Sequence, residues 1–192
     1  MANVNPDLKV QRAKRYFIEA TKQIIISEGV EFVSARKIAD GAGYSYATIY
    51  NYFKDLDELL CETKASMVLD VANHLHNTMN IAPQSVDDVE RLLAAYIRYH
   101  LDHPHIFRFF YFYRLSDQEI HKEQYDFSAA WLETFHFLIE NGSLQKDEVE
   151  HCAKTVIYAV HGLLALYLSD NGVTENMLFA DLSKIMQFSL RR

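Results

Sequence analysis

The sequence predicts an all-α fold, on the evidence of its composition and its helical periodicity. Hydrophobic residues make up 49% and charged residues 23% of the 192 residues, which is ordinary for a globular protein and argues against disorder. Only three prolines and six glycines occur, and most of them lie at the edges of segments in which apolar residues recur every three to four positions. Long periodic segments between helix-ending residues predict helices throughout the chain.

The first part of the chain predicts three helices. Gly29 ends the first helix, Ser34 is a good N-cap for the second, and Ser45 is one for the third. Gly43 supplies a permissive turn residue between the last two, which matches the helix-turn-helix pattern. The three helices are predicted at 8–28, 35–41 and 46–53.

Beyond residue 54 the predicted helices lengthen. Pro83, Pro104 and the Asn-Gly pairs at 141–142 and 171–172 punctuate them, and each is a helix stopper or turn signal. This part of the chain is therefore a second, larger helical domain. Its helices are predicted near 56–80, 86–102, 105–114, 117–141, 146–170 and 174–190.

Charge is distributed unevenly between these two parts. The net charge is −7, but residues 1–54 carry eight Lys and Arg against five Asp and Glu, a balance of +3 that leaves −10 for residues 55–192. A basic end on an acidic body is expected when only one end contacts phosphates. We therefore expect two domains, 1–54 and 55–192, of which the first faces nucleic acid.

The third predicted helix has one apolar and one polar face. Ile49 and Phe53 share the face that should pin it to the first two helices. An outward row of small, hydroxyl and amide groups suits the major groove, where thymine methyls, base edges and phosphates are contacted. The alternative is that its tyrosines only fill the core, but a short helix cannot bury Tyr46, Tyr50 and Tyr52 together. The residues expected to point outward or lie on the flank are Ala47, Thr48, Tyr50 and Asn51.

Several short motifs follow one another in this region. They are Ile38-Ala39, Ala42-Gly43, Ser45, Thr48-Ile49-Tyr50, Tyr52-Phe53-Lys54 and Glu58-Leu59-Leu60. In combination they resemble the DNA-binding signature of the TetR family of transcriptional regulators over roughly residues 12–60. The rest of the chain resembles the family in length and helical character. The resemblance implies an N-terminal three-helix helix-turn-helix domain followed by a larger ligand-binding and dimerisation domain.

The resemblance also implies roles for individual residues. Arg36 matches a base-reading arginine at the start of the second helix, and Lys54 matches a closing contact to the DNA backbone. Leu56 stands where many members carry lysine, and Tyr46 replaces a residue that is often Lys or Gln, so the operator sequence does not follow. The predicted DNA-binding residues are Ser34, Arg36, Ser45, Tyr46, Ala47, Thr48, Tyr50, Tyr52 and Lys54.

Aromatic residues crowd the middle of the chain. Most are expected to fill the core, but rings that meet where helices cross also form flat, apolar cavity walls, and the resemblance implies an effector pocket here. Apart from Arg108 and Arg114, the region 104–115 has no formal charge, which favours an apolar or weakly anionic effector. The predicted lining residues are Tyr96, His100, Phe110, Phe127, Trp131 and Phe135.

The last two long helices are predicted to form a homodimer interface. On the helix at 146–170, one stripe is apolar, and a second surface combines Tyr158 with the small residues Gly162 and Ala165. Two apolar surfaces imply two partners, and the resemblance implies that one partner is a copy of the chain. The alternative is that both surfaces are buried within one chain. The stripe comprises Val149, Val156, Val160, Leu163 and Tyr167, and the helix at 174–190 adds Met177, Leu178, Leu182, Ile185, Met186 and Leu190.

An enzymatic alternative is a di-metal helical bundle. Glu133-x-x-His136 and Glu148-x-x-His151 have the Glu-x-x-His spacing of carboxylate-bridged metal sites. Helical phase argues against it, because Glu133 and His151 fall nearly opposite the apolar stripes of their helices. The other histidines, His161 among them, are expected to be satisfied or solvated. We expect no catalysis, no metal and no cofactor.

These patterns and the resemblance together imply a ligand-responsive repressor. As a homodimer it would bind double-stranded DNA at a palindromic operator, and a small apolar effector would release it. Cys61 and Cys152 are interpreted as small buried hydrophobes, no secretory signal is visible, and the apolar window 159–168 is too short to span a bilayer. We therefore expect a cytoplasmic protein with no membrane partner. The effector, the operator and the choice between repression and activation stay open.

Overall fold

The computed structural model describes residues 6–79, 82–115, 127–140 and 143–190, and every regular element in these ranges is helical. The all-α prediction is confirmed. A short 3-10 turn, Val30–Phe32, follows the first helix. The α-helices are α1 Pro6–Ser27, α2 Ala35–Ala42, α3 Tyr46–Ile49, α4 Leu56–Met79, α5 Val86–Asp102, α6 Pro104–Tyr111, α7 Phe127–Thr134, α8 Phe137–Glu140, α9 Lys146–Leu168 and α10 Glu175–Leu190.

The chain divides into two compact units, each made from two separate stretches of sequence. The first unit comprises Met1–Asp70 and His103–Tyr125, and the second comprises Val71–Asp102 and Asp126–Arg192. The division at residue 54 that the charge pattern predicts concerns function and stays a prediction. By packing, the first unit also includes the start of α4 and all of α6.

The first unit is built around α1, which packs against α2 and α6. Gly29 has a φ of 110°, a backbone conformation that favours glycine, and it ends α1 as predicted. The amphipathic faces of α1, α2 and α3 converge on one buried apolar cluster. Its members are Phe17, Ile38, Ala39, Ile49, Phe53 and Leu59.

Two ion pairs join α1 to the start of α4 within the first unit. Lys14 Nζ lies 2.6 Å from Glu62 Oε1, and Lys22 Nζ lies 2.6 Å from Asp70 Oδ2. Lys22 is itself buried, so its charge needs the carboxylate partner that Asp70 supplies. These pairs hold α1 against α4 between residues 62 and 70.

The second unit is arranged around α9, which packs against α5, α7, α8 and α10. By length and composition α9 could also cross a membrane, as many core helices of globular proteins could. Its buried stripe continues through Leu164, whereas the predicted members Leu163 and Tyr167 are only half-buried. The fully buried residues of α9 are Val149, Ala153, Val156, Ile157, Val160 and Leu164.

Two predicted helices differ from the observed ones. The third helix ends at Ile49 instead of Phe53, because Tyr50 adopts φ −72° and ψ −3° and the chain tightens into a turn. The helix predicted at 117–141 is interrupted at Phe135 and His136, which separate α7 from α8. Residues 117–126 and 141 of that prediction lie outside the described residues.

Candidate functional site

The turn between α2 and α3 is fixed by capping and by one glycine. Ser34 Oγ accepts a hydrogen bond from the Lys37 backbone N–H at 3.3 Å, which begins α2. Gly43 has a φ of 75° and ends α2 in the left-handed conformation. The Tyr44 N–H then donates to the Ala39 carbonyl at 2.9 Å, which closes the turn before α3.

The side of α3 that faces away from the core is exposed. Ile49 is fully buried and holds the helix to α1 and α2, while the side chains of Tyr46 and Tyr50 are 63% and 51% exposed. Ala47 is exposed as well, and the Thr48 hydroxyl lies 2.8 Å from Ser45 Oγ. The sequence-based prediction of which α3 side chains point outward agrees with this arrangement.

Tyr52, in the turn that follows α3, lies differently from Tyr46 and Tyr50. It is half-buried, packs against the apolar cluster of the first unit, and its ring centroid is 5.9 Å from that of Phe17. Its backbone N–H donates to the Ile49 carbonyl at 2.9 Å, within the turn that follows α3. Tyr52 therefore packs the turn that follows α3 against the core of the first unit.

The cations around this face differ in whether a carboxylate neutralises them. Lys37 pairs with Glu28 at 2.8 Å, so its charge is compensated. Arg36, on the same helix, is exposed and has no ion pair with any residue that the structure describes. An uncompensated guanidinium next to an exposed α3 is the arrangement that binding to a polyanion needs.

Lys54 lies at the junction between α3 and α4. Its backbone N–H donates to the Glu58 carboxylate, and the Glu58 N–H donates to Asp55 Oδ1 at 2.9 Å. This reciprocal capping fixes where α4 begins, and the Lys54 side chain is exposed beside it. Of the two DNA-binding cations that the sequence predicts, Arg36 lies in the first turn of α2 and Lys54 lies two residues before α4.

An aromatic and imidazole cluster lies in the second unit, where α5, α7 and α9 pack together. The Tyr96 ring contacts Trp131 at 5.1 Å and His100 at 4.6 Å between centroids, both edge to face. The Tyr96 hydroxyl and His161 Nε2 are 2.9 Å apart and share a hydrogen bond whose direction depends on the histidine tautomer. Tyr96 and His100 are fully buried, and Trp131 is nearly so.

Burial controls the charge of this cluster. It lowers the pKa of His161 from 6.5 to about 4, because the charged imidazolium would lose its hydration inside the unit. His161 is therefore neutral at pH 7. The cluster offers a neutral imidazole, a tyrosine hydroxyl and ring faces, which suits a ligand with an apolar body and few polar atoms.

Two family models match separate stretches of the sequence. The family model described as "Bacterial regulatory proteins, tetR family" matches residues 17–63, and "Tetracyclin repressor-like, C-terminal domain" matches residues 89–192. This chain belongs to the TetR family of transcriptional regulators. No curated protein sequence matches it.

Several solved structures share its fold, among them that of a TetR-family repressor. FadR of Thermus thermophilus, a repressor in complex with lauroyl-CoA, is 15% identical with a TM-score of 0.67, covering 92% of this chain and 93% of its own. FadR of Bacillus halodurans, a fatty acid degradation regulator, is 16% identical with a TM-score of 0.69, over 92% and 97%. RolR in complex with resorcinol is 15% identical with a TM-score of 0.70, over 95% and 90%. At these identities, the likeness shows the fold.

The predicted effector residues of this TetR-family chain are only partly brought together. Tyr96, His100 and Trp131 meet in the cluster, and Phe135 is buried at the break between α7 and α8. Phe110 belongs to the first unit, where its carbonyl accepts a hydrogen bond from Lys64 Nζ at 2.8 Å. The side chain of Phe127 lies outside the described residues.

Sequence reasoning missed two contributions to these sites. His161 was expected to be satisfied or solvated, and its hydrogen bond with Tyr96 agrees with this, but its place in the cluster was not predicted. The position of His161 in the apolar window 159–168 was the available signal. Tyr44 and Tyr16 were also missed. Both are exposed, at 39% and 51%, and their ring centroids are 6.5 Å apart at the helix-turn-helix surface.

The residues of the di-metal alternative all lie at the surface of this TetR-family protein. Glu133 and His136 are exposed, as are Glu148 and His151. Glu148 accepts from the Gln145 N–H at 2.9 Å to cap α9, and His151 Nδ1 lies 2.7 Å from the Asp147 carbonyl. Within the described ranges, no three metal-ligating side chains come together. Local capping thus accounts for the Glu-x-x-His spacing on α9.

Proposed function

We propose that this protein is a ligand-responsive repressor that binds a palindromic operator as a homodimer. The observation that carries the proposal is the exposed face of α3 beside the uncompensated charge of Arg36. Ser34, Ser45, Thr48 and Lys54 add hydroxyl and ammonium donors around that face for backbone phosphates. A cytoplasmic location, where such a protein meets DNA, is part of the proposal.

Exposed apolar residues on α9 and α10 support the homodimer. Tyr158 and Phe188 are 68% and 91% exposed in the single chain, and Gly162 has open space around its Cα. A monomer gains nothing from exposing such large rings on helices whose opposite sides are already buried. The partner proposed for this surface is a second copy of the chain.

An effector bound in the second unit would weaken operator binding by changing the distance between the two helix-turn-helix segments of the dimer, which are its DNA-binding heads. The ligand must bind one spacing better than the other, since equal affinity would shift nothing. Helix α4, which contributes residues to both units, is the proposed lever. Typical coupling of this kind lowers operator affinity about five- to 150-fold.

Selection of bound duplexes from a random DNA pool tests the proposal. We expect an inverted repeat whose half-sites are roughly 34–36 Å apart, one helical turn, because each chain has a single helix-turn-helix. Enrichment of a lone half-site, together with a monomer in ultracentrifugation at micromolar concentration, would overturn the dimeric mode of binding. Failure to enrich any sequence would overturn the proposal that the protein binds a specific operator.

A further inference from the structure

Trp131 presents a buried hydrogen-bond donor that no described residue satisfies. The residue is 5% exposed, and within the part of the chain that the structure describes its Nε1 has no acceptor. A buried N–H left in this state is rare in native proteins, since it forgoes its hydrogen bond to water without replacement. A bound oxygen atom would satisfy it.

The cluster around this N–H is aromatic and buried. Tyr96 packs edge to face against Trp131, and His161, which shares a hydrogen bond with Tyr96, is neutral at pH 7. The cations of the helices that form the second unit point to solvent. In the described ranges of α5, α7, α9 and α10 they are Arg91, Arg98, Lys146, Lys154 and Lys184, and all are exposed.

We propose that the effector is a neutral molecule with an aromatic or apolar body and one carbonyl-type oxygen that accepts a hydrogen bond from Trp131 Nε1. An anion would lose its hydration there without gaining a counter-charge, and a pure hydrocarbon would leave the indole N–H unsatisfied. This inference rests on the proposed effector-binding function of the second unit and adds the chemical class of the ligand.

Three probes of similar size separate these possibilities. Acetophenone is a neutral ketone, ethylbenzene lacks the oxygen, and benzoate carries a negative charge. Trp131 is the only tryptophan in the sequence, so proton–nitrogen NMR spectra contain a single indole N–H resonance to follow. We expect acetophenone to bind about five-fold more tightly than ethylbenzene and to move the indole N–H resonance downfield. Benzoate should bind most weakly of the three probes.

The variant Trp131→Phe keeps an aromatic ring and removes the donor. It should abolish the preference for acetophenone while changing ethylbenzene affinity less than about two-fold, as measured by ligand-observed NMR. Tyr113→Phe, in the first unit, is the matched control and should change neither affinity. If Trp131→Phe does not fold, the comparison of the three probes on the wild-type chain still tests whether the ligand is neutral and carries a carbonyl-type oxygen.

Each other outcome overturns a defined part of the inference. Equal binding of acetophenone and ethylbenzene would overturn the inferred hydrogen bond between the ligand oxygen and Trp131 Nε1. It would remain compatible with an effector site in this unit. Tightest binding of benzoate overturns the neutral character of the ligand. No binding of any probe at millimolar concentration overturns the inference and counts against an effector site at this cluster, while the operator selection still tests DNA binding separately.

Discussion

The imidazole of His161 is held neutral by its surroundings, and this ties the stability of the second unit to pH. Its pKa in the folded chain is about 4, below the 6.5 of an unburied histidine, so the unfolded chain takes up the proton first. The free energy of unfolding is therefore unaffected by this proton above about pH 6.5, and it falls progressively as the pH drops toward 4.

We predict that His161→Gln removes this pH dependence. Between pH 7 and pH 5 the wild-type free energy of unfolding should fall by about 1–2 kcal/mol more than that of the variant, because glutamine does not titrate. Urea denaturation at a fixed protein concentration measures the difference. Parallel pH profiles for the two proteins would show that His161 is hydrated in the folded chain.

Arg36 and Lys54 are predicted to contribute to DNA binding in different ways. Arg36→Ala should relax base preference at one position in each half-site and cost about 1–3 kcal/mol per contact, because a guanidinium reads base edges directly. Lys54→Ala should weaken all sequences alike and lower the salt slope by about one, as the loss of a phosphate contact does.

Fluorescence anisotropy titrations with specific and random duplexes at several salt concentrations measure both effects. Lys37→Ala is the matched control on α2, because the Lys37 charge is already paired with Glu28. Equal weakening of specific and random DNA by Arg36→Ala would refute the base-reading role.

At the scale of the helices, the turn before α3 depends on Gly43. Its φ of 75° is unfavourable for residues with a Cβ, although the space around it is open. Gly43→Ala should therefore cost about 1–2 kcal/mol of stability through backbone strain alone. Gly43→Asn should cost less, since asparagine tolerates the left-handed conformation. Urea denaturation compares the two, and equal stability of Gly43→Ala and wild type would contradict the strain.

Helix positions were predictable from the sequence where local chemistry determines them. The second and fifth helices were predicted at 35–41 and 86–102, against Ala35–Ala42 and Val86–Asp102 observed, because caps and apolar spacing act within a few residues. The contact between Tyr96 and His161 joins residues 65 positions apart and depends on how α5 packs against α9. No local pattern encodes that packing, so the sequence identified Tyr96 and missed its partner.

At the scale of the whole molecule, Gly162 distinguishes the isolated protomer from the proposed dimer. A Cβ at this position would meet no atom within 4 Å in the single chain, so alanine should stabilise the protomer by about 0.5–1 kcal/mol through helix propensity. In a dimer whose helices approach closely at Gly162, the larger Gly162→Leu should weaken association at least ten-fold, because overpacking typically costs about 1–3 kcal/mol.

Sedimentation equilibrium measures the association of Gly162→Leu and wild type. Glu150→Leu adds the same side chain to another exposed position of α9, three turns away, and should leave association nearly unchanged. If both variants dimerise like the wild type, the dimer uses another surface.

The interleaving of the two units along the chain has a consequence for biosynthesis. α1 leaves the ribosome long before α6, the helix that packs against it, and α5 emerges between them although its partners α9 and α10 are translated last. Neither unit can therefore finish folding while the chain is still short, and the surfaces of α1 and α5 that pack against α6, α9 and α10 stay uncovered in the nascent polypeptide. Chaperones that recognise exposed apolar helices would therefore bind this protein during translation. A gene fragment that stops before α6 would encode an aggregation-prone N-terminal part of the chain.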